Sequence, residues 1–190
     1  MLKLAALSLC ASLLVAVPAG ASRPPDATVP APVATHPAHD VRLSGAGGGT
    51  LSLPGFAGDR VRFRLTASVP PDRPLDVHGR FRVEHVSADG RLLARFSGAF
   101  DCLMTGGGVA VATGLITSGS APGLPGEPEI VGRRIGLTVA DRGPHDRLGW
   151  SWLVMGFHDV AGCTGIAPFF PVTRGGFAVR GDTDLAEEAR

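Results

Sequence analysis

Residues 60–65 read R-V-R-F-R-L, with Arg60, Arg62 and Arg64 alternating against Val61, Phe63 and Leu65. A strict period of two places the arginines on one face of an extended chain and the apolar side chains on the other. That is the pattern of a half-buried strand; a helix would scatter both kinds around its axis. Phe81 and Val83 alternate in the same way with Arg82 and Glu84, and Ile135, Leu137 and Val139 with Gly136 and Thr138. Further strands are expected at 50–53, 91–103, 109–116, 149–157 and 177–180, with Gly and Pro clusters between them. About eight antiparallel strands at this spacing define an all-β fold, either a small antiparallel barrel or a two-sheet sandwich. Alternation fits both.

One hairpin can be placed in register. Asp89-Gly90 is a strong two-residue type I′ turn signal. It sets Glu84 opposite Arg95, Val83 opposite Phe96 and Phe81 opposite Gly98, whereas a slip by one residue would set Val83 against Arg95. Phe81, Val83, His85, Ala94, Phe96, Phe100 and Cys102 then share the core face. The same register sets His78 opposite Asp101 on the other face, a candidate carboxylate–imidazole pair.

The N-terminus reads as a signal peptide over residues 1–21. Lys3 is followed by an apolar run over 4–17, then Pro18 and the small-residue cleavage pattern Ala19-Gly20-Ala21. The run falls short of the ~20 residues of a membrane-spanning helix, so no membrane span is expected after cleavage. Cys10 follows Leu9, which is not the small residue of a lipid-attachment signal. Residues 22–40 form a Pro- and Ala-rich linker carrying His36 and His39, with too few apolar residues to offset the entropy of ordering it. The β domain occupies 41–181 and an acidic tail 182–190.

Lys3 is the only lysine among the 18 basic residues, set against 17 acidic ones, and the formal net charge of the chain is +1. Such a balance argues against nucleic acid or an anionic membrane as the main partner. The absence of Asn, Gln and Tyr beside abundant Arg, Ala, Gly and Pro points to a GC-rich bacterial genome.

Several stretches together have a familiar look. They are G-R-F-R-V-E-H (79–85), D-G-R-L-L-A-R-F-S-G (89–98), Cys102-Leu103, A-T-G (112–114), V-A-D-R-G-P-H-D-R (139–147) and a second cysteine near A-P-F-F (167–170). Over about residues 76 to 180 the chain resembles a group of small secreted actinobacterial proteins of uncharacterised function. The resemblance implies compartment and lineage, and no chemistry.

The candidate sites are few. His85, on the apolar face, could bind a ligand or act as a base, though such a histidine is more often hydrogen-bonded core. Trp150 and Trp152 flank Ser151 on one strand face and could stack on a flat ligand; at this spacing core packing is the commoner role. Asp141 and Asp146, within D-R-G-P-H-D, are weak candidates for a calcium loop beside a plain Asx-type turn. Ser151 in G-W-S-W-L lacks the context of a nucleophile elbow. Gly45 to Gly49 reads as a connection between strands, and no Lys-Ser/Thr follows it as in a phosphate-binding loop. The arginines at 60, 62, 64, 80, 82, 91 and 95 could form a basic stripe, and with net charge near zero a solvated face paired with acids is the better reading. No cofactor is expected.

Removal of the signal leaves Cys102 and Cys163, which in an oxidising compartment are expected to bond. These observations favour a secreted, non-enzymatic β module with an extracellular ligand or cell-wall component as partner. The alternative is a small barrel enzyme doing acid–base or isomerase-type chemistry with His85, or with Asp101 and His78. A pocket lined by His85 favours the enzyme, and a tightly packed interior counts against it.

Overall fold

The computed structural model describes residues 40–183. The expected signal peptide, the linker up to His39 and the tail from 184 lie outside the described residues. The described residues make one antiparallel sheet of nine strands: β1 (Val41–Thr50), β2 (Arg60–Val69), β3 (His78–Val86), β4 (Leu92–Gly106), β5 (Val109–Ser120), β6 (Arg134–Ala140), β7 (Arg147–Trp150), β8 (Phe170–Pro171) and β9 (Arg174–Arg180). A single helical turn, α1 (Trp152–Met155), lies between β7 and β8.

The strand order is β8-β7-β6-β5-β4-β3-β2-β1-β9. The two edge strands are thus neighbours in sequence, separated only by Val172 and Thr173. Three Cα–Cα steps reach at most about 11 Å. A flat sheet of this width would hold its edges roughly 38 Å apart. The sheet is therefore curled into a half-barrel with its apolar face inward. Phe63, Leu65, Phe81, Phe96, Leu103, Ile135 and Leu137 fill the interior, each nearly inaccessible to water.

β8 and β9 share no ladder, and the seam between them is crossed in another way. Val172 N–H donates to the Asp146 carbonyl and Thr173 N–H to the Gly48 carbonyl. Two carboxylates complete the closure: Asp146 Oδ2 accepts Phe177 N–H at 2.8 Å and Asp141 Oδ2 accepts Val179 N–H at 3.0 Å. An edge strand's open donors are thus satisfied by side chains of the β6–β7 connection.

The structure corrects several local expectations. Gly45 to Gly49 is the middle of β1 and not a connection. A Cβ at Gly47 would stand 2.8 Å from the Phe177 ring, and one at Gly49 would stand 3.0 Å from Phe170. The glycines make room for aromatic rings from the neighbouring β9 and from β8 at the other edge, so β1 has small inward positions where alternation looks for large ones.

The β3–β4 turn is a three-residue loop, not a two-residue one. Gly90 N–H donates to Ser87 C=O, Ser87 N–H to Arg91 C=O, and Gly90 takes φ +93°. A bulge then inserts Leu93, because His85 pairs with Ala94 but Val86 with Leu92. The extra loop residue and the bulge cancel, so the expected pairs Glu84–Arg95, Val83–Phe96 and Phe81–Gly98 are all present.

A second bulge has larger consequences. Phe100 pairs with Gly114 and Cys102 with Thr113, leaving Asp101 as the extra residue. Parity flips there, so Leu103 points into the core and Cys102 points outward beside Thr113. Cys102 is nonetheless fully buried, because the segment 159–168 crosses the outer face of β5, β6 and β7 above it. Cys163 N–H donates to Thr113 Oγ1, Ile166 N–H to Thr138 Oγ1, and Asp159 Oδ1 accepts Arg134 N–H. The expected disulfide is present, with Cys102 and Cys163 Cα atoms 5.3 Å apart. It pins this strap to the outside of the sheet rather than crosslinking the core. A bonded pair is the state that an oxidising compartment favours.

The expected strand over 149–157 stops at Trp150. Ser151 begins a helical turn, with Val154 and Met155 N–H groups donating to its carbonyl, and Gly156 ends it at φ +61°.

Candidate functional site

α1 lies over one end of the half-barrel, where β1 and β3 finish and β2 and β4 begin. A pocket of about 90 Å³ remains beneath it. Its walls are Phe63, Phe96, Trp150 and Val83 from the strands, Leu51 and Phe56 from the β1–β2 connection, Leu124 from the β5–β6 connection, and Trp152 and Leu153 from α1. The alternation in β2, β3 and β4 supplies the strand residues, and the helical turn supplies the cover. Trp152 stacks on Phe157 with a centroid separation of 6.0 Å, and Trp150 lies 5.1 Å from Phe63. Val154 and Met155 on α1 remain exposed.

Besides the indole N–H groups of Trp150 and Trp152, His85 is the only polar side chain in this lining. Its Nε2 lies 2.8 Å from Asp59 Oδ2, and both residues are buried. Asp59 Oδ1 also accepts the Ala88 N–H at 2.9 Å. The carboxylate thus takes one donor from the backbone and one from the imidazole, which selects the tautomer carrying its proton on Nε2. The polar atom left to His85 for any occupant of the pocket is Nδ1, a hydrogen-bond acceptor in this tautomer.

The sequence candidates distribute unevenly. His85, Trp150 and Trp152 come together in the pocket, although the two tryptophans stand on a strand end and a helical turn and not on one strand. Asp141 and Asp146 close the seam: Asp146 Oδ1 accepts Arg142 N–H and Asp141 Oδ1 accepts Gly143 N–H, so their oxygens are taken up by backbone donors. Asp141 is held below the usual carboxylate range, first by the Val179 N–H it accepts and against the opposing effect of burial. His78 and Asp101 are not brought together. The β3–β4 ladder ends at Arg80–Ala99, and the bulge turns Asp101 toward Thr113 Oγ1 at 2.6 Å and Arg134 Nε at 2.7 Å. That carboxylate raises the Arg134 guanidinium further above its ordinary value.

Sequence reasoning missed Asp59 and Phe56. Asp59 lies just before β2 in a Gly-rich turn and carries no local signature of a partner 26 residues away. The β2–β3 register, which pairs Val61 with His85, would have disclosed it.

The fold and site define a class: a disulfide-strapped antiparallel half-barrel with an aromatic pocket and a buried carboxylate–imidazole pair at its covered end. No family model, curated protein or solved structure matches the chain.

Proposed function

We propose that this chain is an exported β module that binds a small, largely apolar ligand carrying one hydrogen-bond donor, without converting it. The reading rests on the pocket whose single side-chain hydrogen-bond acceptor is His85, held in one tautomer by Asp59. An apolar pocket with one placed polar group is the usual form of a small-molecule site. The volume is below the ~150 Å³ of a cavity that holds benzene, so a ring-sized ligand enters by displacing α1, a single turn held by the partly buried Trp152 and Leu153. Export is part of the proposal, and N-terminal sequencing of protein recovered from the medium tests it, with a start at or near Ser22 expected.

Titration of the full chain with phenol and with toluene, followed by tryptophan emission, tests the binding. Both are expected to alter the emission, phenol more tightly, and His85→Phe is expected to abolish that preference. Emission unchanged by either compound overturns the proposal.

The Asp59–His85 pair favours a second reading, in which Nδ1 removes a proton from a bound carbon acid while Asp59 orients the ring. Uptake of solvent deuterium by a small enolisable ketone, lost in His85→Gln, is its expected sign.

A further inference from the structure

We infer that the outer face of β2 and β3 binds a linear phosphate polymer through Arg60, Arg62, Arg64, Arg80, Arg82 and Arg174. The alternation that buries Val61, Phe63 and Leu65 turns every arginine of β2 outward. The β2–β3 register then sets Arg64 directly opposite Arg82. Arg62 lies across from Gly48 of β1, which in turn lies across from Arg174 of β9. All six arginines are exposed.

The one acid on this face is Glu84, which the register sets opposite Arg62. Glu84 is engaged by Arg95, at 2.9 Å from Nε and 2.8 Å from the terminal nitrogen. Asp40, Asp72, Asp76, Asp89, Asp101 and Asp159 pair with other arginines. Among the described residues none of the six arginines has a carboxylate within ion-pair distance. A net charge of +1 is thus an average over segregated charge, and a face with six arginines and one carboxylate already engaged by Arg95 exerts its own field. Like charges directly opposite on adjacent strands also destabilise a sheet, so the Arg64–Arg82 pair costs folding energy that an anion between them would relieve.

Shape agrees with charge. A groove of about 410 Å³ is floored by Gly47, Gly48 and Gly175 between Arg60, Arg62 and Arg174. It shares Arg62 and Glu84 with a second groove, which shares Arg64 and Arg82 with a third that reaches Arg80. Strand spacings make this track about 20 Å long. Such a length suits an extended polyanion rather than a single ion, and the guanidinium fork matches phosphate oxygens in pairs. The only aromatic side chain along the track is Phe81, which is buried, so the face offers no platform for stacking bases. That favours a phosphate polymer without bases over nucleic acid.

The test is titration of the full chain with inorganic polyphosphate at several salt concentrations. Binding that weakens steeply with salt is expected. Arg64→Ser combined with Arg82→Ser is expected to weaken it at least ~10-fold near ~0.1 M salt and to flatten the log–log salt slope by about 1 to 2. The unfolding temperature should hold or rise as the like-charge pair is lost, and Arg73→Ser, outside the track, should bind as wild type. Arg174→Ser, on another strand, provides an independent loss of affinity should the double variant fold poorly. Unchanged affinity in both Arg64→Ser/Arg82→Ser and Arg174→Ser overturns the inference. So does tighter binding of an oligothymidylate of equal charge, or equal binding of polyglutamate.

Discussion

Asp146 Oδ2 accepts the backbone N–H of Phe177 at 2.8 Å, across the gap between β7 and β9 where no ladder forms. A strand at a sheet edge needs partners for its backbone, and here a buried carboxylate from a turn supplies one. Asp146 also fixes its own turn through Arg142 N–H. The half-barrel is thereby held, together with the Asp141–Val179 bond, on the side of β9 away from its ladder with β1.

Asp146→Ala should therefore lower stability by about 2–4 kcal/mol, since it leaves the buried Phe177 N–H and the part-buried Arg142 N–H without acceptors. Chemical denaturation checks the magnitude. Hydrogen exchange should show the Phe177 amide losing protection before those of β2 and β3, and uniform loss across the sheet would contradict the seam.

Stability should fall in acid partly through Asp141. Its folded pKa lies below the ordinary carboxylate value because the charged form accepts Val179 N–H. A depressed pKa gives stability that is complete above the unfolded value, near ~3.9, and is lost as pH drops through the folded one. Urea midpoints between about pH 6 and pH 2 should decline most steeply below ~4, and Asp141→Asn should flatten that decline. An identical pH profile in the variant would exclude the contribution.

Millimolar calcium, or its removal by a chelator, should leave the unfolding temperature within about a degree. Asp141 and Asp146 direct their oxygens at backbone donors, and a cation would have to displace the N–H groups that close the seam. A rise of many degrees would mean that the two carboxylates can reorganise around a metal.

Cys102→Ala should lose roughly 4 kcal/mol in the chain-entropy view, for a loop of 61 residues. Because the bond holds a strap on the outer face, cleavage by a protease within 156–168 should accelerate well before the sheet unfolds. Two free thiols in unreduced, unfolded wild type would refute the bond.

Asp59→Ala leaves the buried His85 imidazole and the part-buried Ala88 N–H without their acceptor and should cost about 2 kcal/mol. The His85 ring signals in a histidine-selective nuclear magnetic resonance spectrum should shift and broaden as the tautomer preference is lost. Unaltered signals would show that Asp59 does not govern the ring.

Local alternation made much of this fold legible. In β2 and β3 one neighbour decides whether a side chain faces water or core, so R-V-R-F-R-L and G-R-F-R-V-E-H sorted their residues correctly. His85 and Trp150 face inward by the same rule, because an apolar face leads into the interior wherever the sheet curls, whereas Trp152 reaches the pocket on a helical turn that alternation read as strand. β1 was illegible for the opposite reason: its inward positions after Leu43 are glycines, and their size answers to Phe177 and Phe170, both more than 100 residues away in sequence.

The sequence by itself determined the β character, the inward face of the β3–β4 hairpin and the pairing of Cys102 with Cys163. Each follows from a period of two, a turn signal or a count of cysteines, all properties of neighbouring residues or of composition. Only the tertiary structure decided the bulge at Asp101 that turns Cys102 outward, the union of Asp59 with His85, and the use of Asp141 and Asp146 to close the seam. These depend on where a curled sheet brings residues 26 to 61 positions apart, down to a one-residue shift in register. No local pattern encodes that shift, because the energy that selects it comes from partners the segment meets only after the sheet has closed.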